Sequence, residues 1–399
     1  MIKLTIVIVN YNVKHYISQC IDSVYKSTLK DIEVIVVDNH SHDGSVEYLK
    51  LKYPSLKIIS LNHNLGFARA NNIAIQSANG EYVLLLNPDT IVSDRVLQHC
   101  VEFMDAHPSS GGLGVKMLNV DGSKALESRR GLPTPLTSFY KMIGLCKHFP
   151  SSKIFGRYYL GYLPWDKPVE IEIVSGAFFM LRKEALDNVG LLDEDFFMYG
   201  EDIDLGYRLL KGGYQNWYIP ETILHYKGES TQKSSFRYVH VFYEAMLIFF
   251  KKHYGHLSVL LSMPIKIAIY AKAFLALISM QTSLIKKNLG FVDKRKIKLP
   301  HYIFIGTQDS IVQFKKLAHT NGLDFSCYEG TQADTPNGHV SIPNLRFDKD
   351  KITYIVYDIS AYSYSNVLDI FASSPHDNVE MAFYHPSDNI LISCSEILK

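Results

Sequence analysis

Leu4-Thr-Ile-Val-Ile-Val-Asn10-Tyr-Asn12 is a continuous apolar, β-rich run that ends abruptly in polar side chains. Such a run reads as a buried first strand. Similar runs recur at Glu33–Val37, Lys57–Leu61 and Tyr82–Leu86, and the intervening Val13–Ser27, Ser45–Tyr53 and Ala68–Ser77 carry apolar residues at helical spacing. Strands alternating with helices predict an α/β fold with a mostly parallel, doubly wound sheet. Ligands bind such sheets beyond the carboxyl ends of the strands. The residues there are Asn10-Tyr-Asn12, Asp38-Asn39, Asn62-His-Asn64 and Asn87-Pro-Asp89, all rich in polar groups.

Working outward, residues 106–168 are rich in Gly, Pro and Ser and read as irregular. Ile171–Leu181 is a strand pattern interrupted at Ser175-Gly176. A helix is expected to open near Gly200-Glu201-Asp202, to carry Leu205, Leu209 and Leu210, and to stop at Gly212-Gly213. From Phe236 to Leu289 the pattern is apolar and helical, but Pro264, Lys266 and Lys272 break it, so a full transmembrane span is not expected. A new α/β pattern follows the basic run Lys294-Arg-Lys296, with strand candidates at His301–Ile305, Ile352–Tyr357, Val379–Tyr384 and Ile390–Cys394. The expected division is 1–235, a connector 236–298, and a small α/β appendage 299–399.

The 399 residues have a formal net charge of +1, and that sum conceals a strong asymmetry. Residues 1–232 are net −3 and residues 299–399 net −6, whereas 233–298 hold 12 basic and 2 acidic side chains. The connector is either a helical scaffold or an amphipathic attachment to an anionic membrane, and the second reading is favoured. Nucleic acid is a poor partner for it, because base-stacking aromatics are not interleaved with its basic residues. Cys20, Cys100, Cys146, Cys327 and Cys394 never form a C-x-x-C pair, which suits reduced thiols of a cytoplasmic protein. Met1–Asn10 runs straight into the strand pattern, so no signal peptide is expected.

Two acidic places could carry chemistry. Asp89 closes Leu84-Leu-Leu-Asn-Pro-Asp89 at the ligand edge, where a carboxylate can hold Mg²⁺ or Mn²⁺ or simply make a turn. Glu201, Asp202 and Asp204 crowd one helix start beside Phe196, Phe197 and Tyr199, more acids than capping needs. A carboxylate ionised there can accept a proton from a positioned hydroxyl. Gly44 and Gly66 suit tight turns whose backbone amides can cradle phosphate. His40 and His42 read as turn residues, and His225 follows an apolar strand. No G-x-x-x-x-G-K-[ST], strand-linked G-x-G-x-x-G, G-x-S-x-G or H-E-x-x-H is present, which removes the usual signals of P-loop ATPases, dinucleotide oxidoreductases, serine hydrolases and zinc peptidases.

Five motifs in order resemble family 2 inverting glycosyltransferases of the GT-A fold, in particular the bacterial rhamnosyl- and galactofuranosyltransferase-like branch. They are Ile8-Val-Asn10-Tyr-Asn12, Val36-Val-Asp38-Asn39-His-Ser-His-Asp43-Gly44-Ser45, Asn64-Leu-Gly66-Phe-Ala-Arg69-Ala-Asn71-Asn72, Leu86-Asn87-Pro-Asp89 and Gly200-Glu201-Asp202-Ile-Asp204. The resemblance covers roughly residues 1–250 and implies a nucleoside-diphosphate sugar donor and a glycan or lipid-linked glycan acceptor. It implies that Asn10, Tyr11, Asn12, Asp38, Asn39, Arg69, Asn71 and Asn87 bind the nucleotide-sugar. Asp89 would be the last acid of the family's DXD motif and, with His225, would hold Mg²⁺ or Mn²⁺. Asn87 stands at the first position of that motif and removes one negative charge. Asp202 matches the catalytic base, and Glu201 is expected to help position the acceptor. The implied location is cytoplasmic, on the inner face of the cell membrane. Alternatives are a non-catalytic sugar-nucleotide-binding module and a sugar-nucleotide pyrophosphorylase, whose glycine-rich loop after the first strand is replaced here by Asn10-Tyr-Asn-Val-Lys14.

Overall fold

The computed structural model describes residues 2–226, 236–255, 281–282, 299–343 and 345–399. The first strand, β1 (Leu4–Asn10), is buried along its whole length. It lies between β2 (Ile32–Asp38) and β4 (Tyr82–Leu86), both parallel to it, with β3 (Lys57–Ser60) outside β2. The register pairs Asn10 with Asp38 and Ile8 with Leu86, so these strands end side by side. Alternation along β1 explains its packing. Ile6 and Ile8 meet Ile17 and Ile21 of α1 (Lys14–Tyr25) on one face, while Val7 and Val9 meet Ala70 and Ala74 of α3 (Phe67–Ile75) on the other. The helix α2 (Ser45–Lys52) joins β2 to β3. All four strands and three helices fall within about two residues of the sequence expectation.

The other half of the sheet is antiparallel or mixed and was less legible. Beyond β4 come β8 (Phe178–Arg182), β6 (Ser110–Leu118), β9 (Gln215–His225) and β5 (Thr90–Val92), with β7 (Val169–Ile171) also on β9. The single pattern read over Ile171–Leu181 is therefore two strands in different places, parted at Ser175-Gly176. The long β6 lies inside the stretch 106–168 that composition marks as irregular, because Ser110-Gly-Gly-Leu-Gly lacks the side chains that announce a strand. Four helices complete this half: α4 (Val96–Ala106), α5 (Pro135–Met142), α6 (Leu145–His148) and α7 (Lys183–Val189). The expected helix near Gly200 is α8 (Glu201–Lys211), and α9 (Phe236–Tyr254) packs beside it through Ala245, Phe249 and Phe250.

A second, six-stranded sheet forms the C-terminal unit, in the order β11-β10-β12-β13-β14-β15. Its strands are β10 (His301–Gly306), β11 (Asp324–Glu329), β12 (Thr353–Asp358), β13 (Val379–His385), β14 (Ile390–Ile392) and β15 (Ile397–Leu398). The helices α10 (Gln308–Thr320) and α11 (Tyr364–Ser373) cover it. Sequence reading found four of the six strands and missed β11 and β15. One apolar cluster joins Val13, Tyr16, Ile91, Leu224 and Tyr226 of the first unit to Ile303, Ile355, Tyr364 and Phe383 of the second. The Tyr16 hydroxyl donates to Ser393 O (2.8 Å), and the Asp94 N–H donates to Ser365 Oγ (2.8 Å). Of the basic connector 236–298, residues 256–280 and 283–298 lie outside the described residues, and the membrane-attachment reading of that part lies outside them too. No helix among the described residues is long and apolar enough to cross a membrane.

Candidate functional site

A cleft of about 340 Å³ opens where β1, β2 and β4 end. At one end Asn10 and Asp38, buried next to the lining residues Val9, Tyr11 and Asn39, are locked by their register. The Asn10 amide donates to Asp38 Oδ1 (2.7 Å) and Ser41 Oγ (3.0 Å), and the Ser41 N–H donates to Asp38 Oδ2 (3.0 Å). Asn12 occupies the left-handed region at φ 56° and accepts the His42 N–H at Oδ1 (2.7 Å). Asn39 ties this turn to the next one, donating to Asn64 Oδ1 (3.0 Å) and accepting from the Leu65 N–H (2.8 Å). At Gly66, with φ 83°, a Cβ would fall 2.5 Å from Phe197 O. That closeness lets the Phe67 N–H donate to Phe197 O (2.8 Å), so the loop carrying Met198 and Tyr199 is held against the cleft.

The middle is set by an antiparallel pairing. Thr90 on β5 faces His225 on β9, which brings His225 Nε2 to 3.3 Å from Asp89 Oδ1 and 3.3 Å from the Asn87 amide nitrogen. His225 Nδ1 is buried without a hydrogen-bond partner, an expensive state for an imidazole with no further role. Among the described residues no three His, Cys, Asp or Glu side chains gather to hold an ion by themselves. A carboxylate and an imidazole lining this cleft nevertheless fit Mg²⁺ or Mn²⁺, which normally complete their shells with water and substrate phosphates.

The far wall is the start of α8, where Gly200 turns at φ 88° and presents Glu201 and Asp202 to the cleft. These neighbours differ sharply. Burial, reinforced by the Asp202 charge, pushes the Glu201 carboxyl up to about 8, so it is protonated at neutral pH. Its Oε2 is buried with no hydrogen-bond partner. Asp202 instead pairs with Arg130 and accepts the Gly176 N–H (2.9 Å) at Oδ2 and the Ile203 N–H (2.8 Å) at Oδ1. Asp204 points elsewhere. It binds Arg208 (2.8 Å), Lys252 (2.9 Å) and His253 (2.6 Å), fastening α9 to α8.

The cleft thus gathers Tyr11, Asn39, Asn87, Asp89, Glu201, Asp202 and His225 of the expected residues. Arg69 and Asn71 stand away from its lining. Arg69 pairs with Glu194 (2.7 Å), and Asn71 donates to Phe67 O (2.9 Å) within α3. Sequence reading missed Arg130 and the Ser175-Gly176 turn that cups Asp202. Arg129-Arg130 was a visible doublet, but its two members part company. Arg129 is buried against the Trp165 ring (3.8 Å) and donates to Leu163 O (3.0 Å).

Residues 5–190, which hold the strand ends and turns just described, match the family described as Glycosyl transferase family 2. These residues belong to that family. The part of the chain that holds the strand ends of the cleft is thus similar to glycosyltransferases. Over 259 residues it is 27% identical to the N-acetylglucosaminyl-diphospho-decaprenol L-rhamnosyltransferase of Mycobacterium tuberculosis, an alignment covering 62% of this chain and 83% of that one. Over 217 residues it is 26% identical to the poly-beta-1,6-N-acetyl-D-glucosamine synthase of Staphylococcus epidermidis, covering 53% and 47%. The crystal structure of S. aureus TarS overlaps 62% of this chain and 38% of its own length, at 21% identity and a TM-score of 0.42. The alignment spans less than two thirds of the synthase and of TarS.

Proposed function

We propose that this chain is a glycosyltransferase that moves a sugar from a nucleoside diphosphate to the hydroxyl of a glycan or lipid-linked glycan at an anionic membrane surface, inverting the anomeric carbon. The observation that carries the reading is one cleft with Asp89 and His225 on one wall and, on another, Asp202 paired with Arg130 beside the buried Glu201. The lipid-linked acceptor is carried over from the mycobacterial relative, whose name contains a diphospho-decaprenol.

Asp38 and Asn10 are assigned to the nucleoside, with Tyr11 and Asn39 beside it. Asp89, His225 and Asn87 are assigned to Mg²⁺ or Mn²⁺. When bound, that ion would supply positive charge for the departing diphosphate, so no side chain is needed to protonate it. Asp202 takes the proton of the acceptor hydroxyl as that oxygen attacks the face opposite the leaving group, and a single displacement inverts the centre. Asp202 accepts from Arg130 and Gly176 at Oδ2 and from Ile203 alone at Oδ1, so Oδ1 keeps an acceptor position for the incoming hydroxyl. Glu201, protonated, can donate a hydrogen bond to an acceptor or donor oxygen and orient it.

The test is a panel of sugar nucleotides offered to the purified full chain with a lipid-linked glycan and Mg²⁺ or Mn²⁺. One donor is expected to give acceptor-dependent release of nucleoside diphosphate, abolished by chelation, and a product of inverted configuration. Release with no donor in the panel, or a product of retained configuration, contradicts the proposal.

A further inference from the structure

The helix α5 is built inside out. Leu136, Phe139 and Ile143 follow helical spacing along one face, and that face points to solvent: Leu136 is 57% and Ile143 50% exposed. The inward side is polar, with Thr137 and Ser138 exposed by only 6% and 8%. Local bonding holds this orientation. Thr134 caps the helix by accepting the Thr137 N–H (3.2 Å), and the Thr137 hydroxyl is 3.0 Å from Leu132 O, to which it donates. The apolar surface continues past α6 through exposed Phe149 and Ile154. Five of the thirteen exposed large apolar side chains among the described residues lie in this one stretch, which scattered surface residues would not do.

Charge distinguishes what this face meets. From Ser128 to Trp165 the chain carries six Lys and Arg and no Asp or Glu. Arg129 and Arg130 are used inside, while Lys147 and Lys153 are exposed around the apolar face. A protein partner of ordinary composition has no use for a rim of one sign. An anionic bilayer takes both features at once, the apolar side chains at the headgroup–acyl boundary and the lysines among the phosphates.

We propose that the α5–α6 face is the surface by which this protein sits on an anionic lipid bilayer. The inference deepens the proposed transfer at a membrane and rests on it for its purpose, not for its observation. It also places an attachment inside the catalytic unit, separate from the basic connector. The face is tied directly to the cleft. Arg130, in the cleft wall, precedes the start of α5 by five residues, and the next residue, Gly131, donates its N–H to Tyr158 O (3.0 Å). Lys141 of α5 lies over the Tyr158 ring at 3.9 Å. A lipid-linked acceptor held in the bilayer would then meet the cleft at its Arg130–Asp202 wall.

The full chain is to be sedimented with vesicles of phosphatidylcholine mixed with phosphatidylglycerol, and with phosphatidylcholine alone. Binding is expected to the mixed vesicles, weakened by salt. In the triple variant L136S/F139S/I143S affinity should fall at least about tenfold. Its diphosphate release with a water-soluble acceptor should stay unchanged and its thermal stability should fall only slightly, because these side chains are 57%, 43% and 50% exposed. K147E/K153E should weaken binding to the mixed vesicles and reduce its salt-sensitive part. Vesicle binding by the triple variant equal to that of the wild type overturns the proposal. So does binding indifferent to phosphatidylglycerol, or a wild-type dimer that the triple variant converts to monomer with no vesicle binding by either. If vesicle binding behaves as expected while no sugar nucleotide turns over, the catalytic reading fails and this one stands.

Discussion

Glu201 and Asp202 are adjacent in sequence, yet their surroundings differ: burial raises the Glu201 carboxyl, whereas Asp202 is paired with Arg130. Asp202 has a guanidinium and two backbone N–H groups, and Glu201 has burial and a negative neighbour. Glu201→Gln mimics the protonated acid, so transfer near pH 6.5 should stay within a few-fold of the wild type. The stability consequence has a defined sign. A carboxyl raised from 4.5 to about 8 on folding binds more protons in the native state, so wild-type stability declines between those pH values. E201Q lacks that decline, and its stability relative to the wild type should rise across the window by on the order of a few kcal/mol. Urea unfolding at pH 5 and at pH 8 reads this, and parallel changes in both proteins would contradict it. The Glu201-Asp202 pair was visible in the sequence, but the partition between the two acids was not. It depends on Arg130, seventy-two positions earlier in the chain, and no local pattern connects the two.

At the scale of elements, the strand ends were legible because β1, β2 and β4 are continuous apolar runs with abrupt polar stops. The strand β6 was not, since its glycines leave it without a two-residue period, and of β9 only the apolar end before His225 was read. The position of α8 was legible from its acids and its terminal glycines, and the use of its third acid was not. Burial alone would raise Asp204, but hydrogen bonds from His253 and Lys252 and the Arg208 charge outweigh it and hold the carboxyl at about 2. Its contribution is therefore present above the usual carboxylate range and is lost as pH falls toward 2. Asp204→Asn should cost about 3 kcal/mol at pH 7, because it leaves cations at a buried position without their counter-charge. It should also loosen α9 from the catalytic helix. Denaturant unfolding of D204N with a midpoint unchanged from the wild type would remove this account. The inverted helix α5 illustrates a further limit of sequence reading: apolar periodicity shows that a helix has two faces, and only the structure shows which one meets water.

Across the whole molecule, the two sheets share one apolar cluster, with Ile91 and Leu224 of the catalytic unit packed among Ile303, Ile355 and Phe383 of the C-terminal unit. Such units should unfold together. Both tryptophans, Trp165 and Trp217, lie in the first unit, so their fluorescence reports that unit while far-ultraviolet circular dichroism reports both. Coincident transitions are expected, and a second transition seen only by dichroism would show that the C-terminal unit is independent. The charge asymmetry has a physical counterpart within the catalytic unit as well. The stretch from Ser128 to Trp165, which holds α5 and α6, carries no acid inside a domain whose net charge is negative.

The central claim is that Asp202 is the proton acceptor for a sugar transfer carried out in this cleft. The most direct measurement is single-turnover transfer by Asp202→Asn, with donor affinity measured on the same preparation by calorimetry. Donor binding is expected within a few-fold of the wild type, with transfer slower by about 10³-fold or more. Near-wild-type transfer by D202N would contradict it.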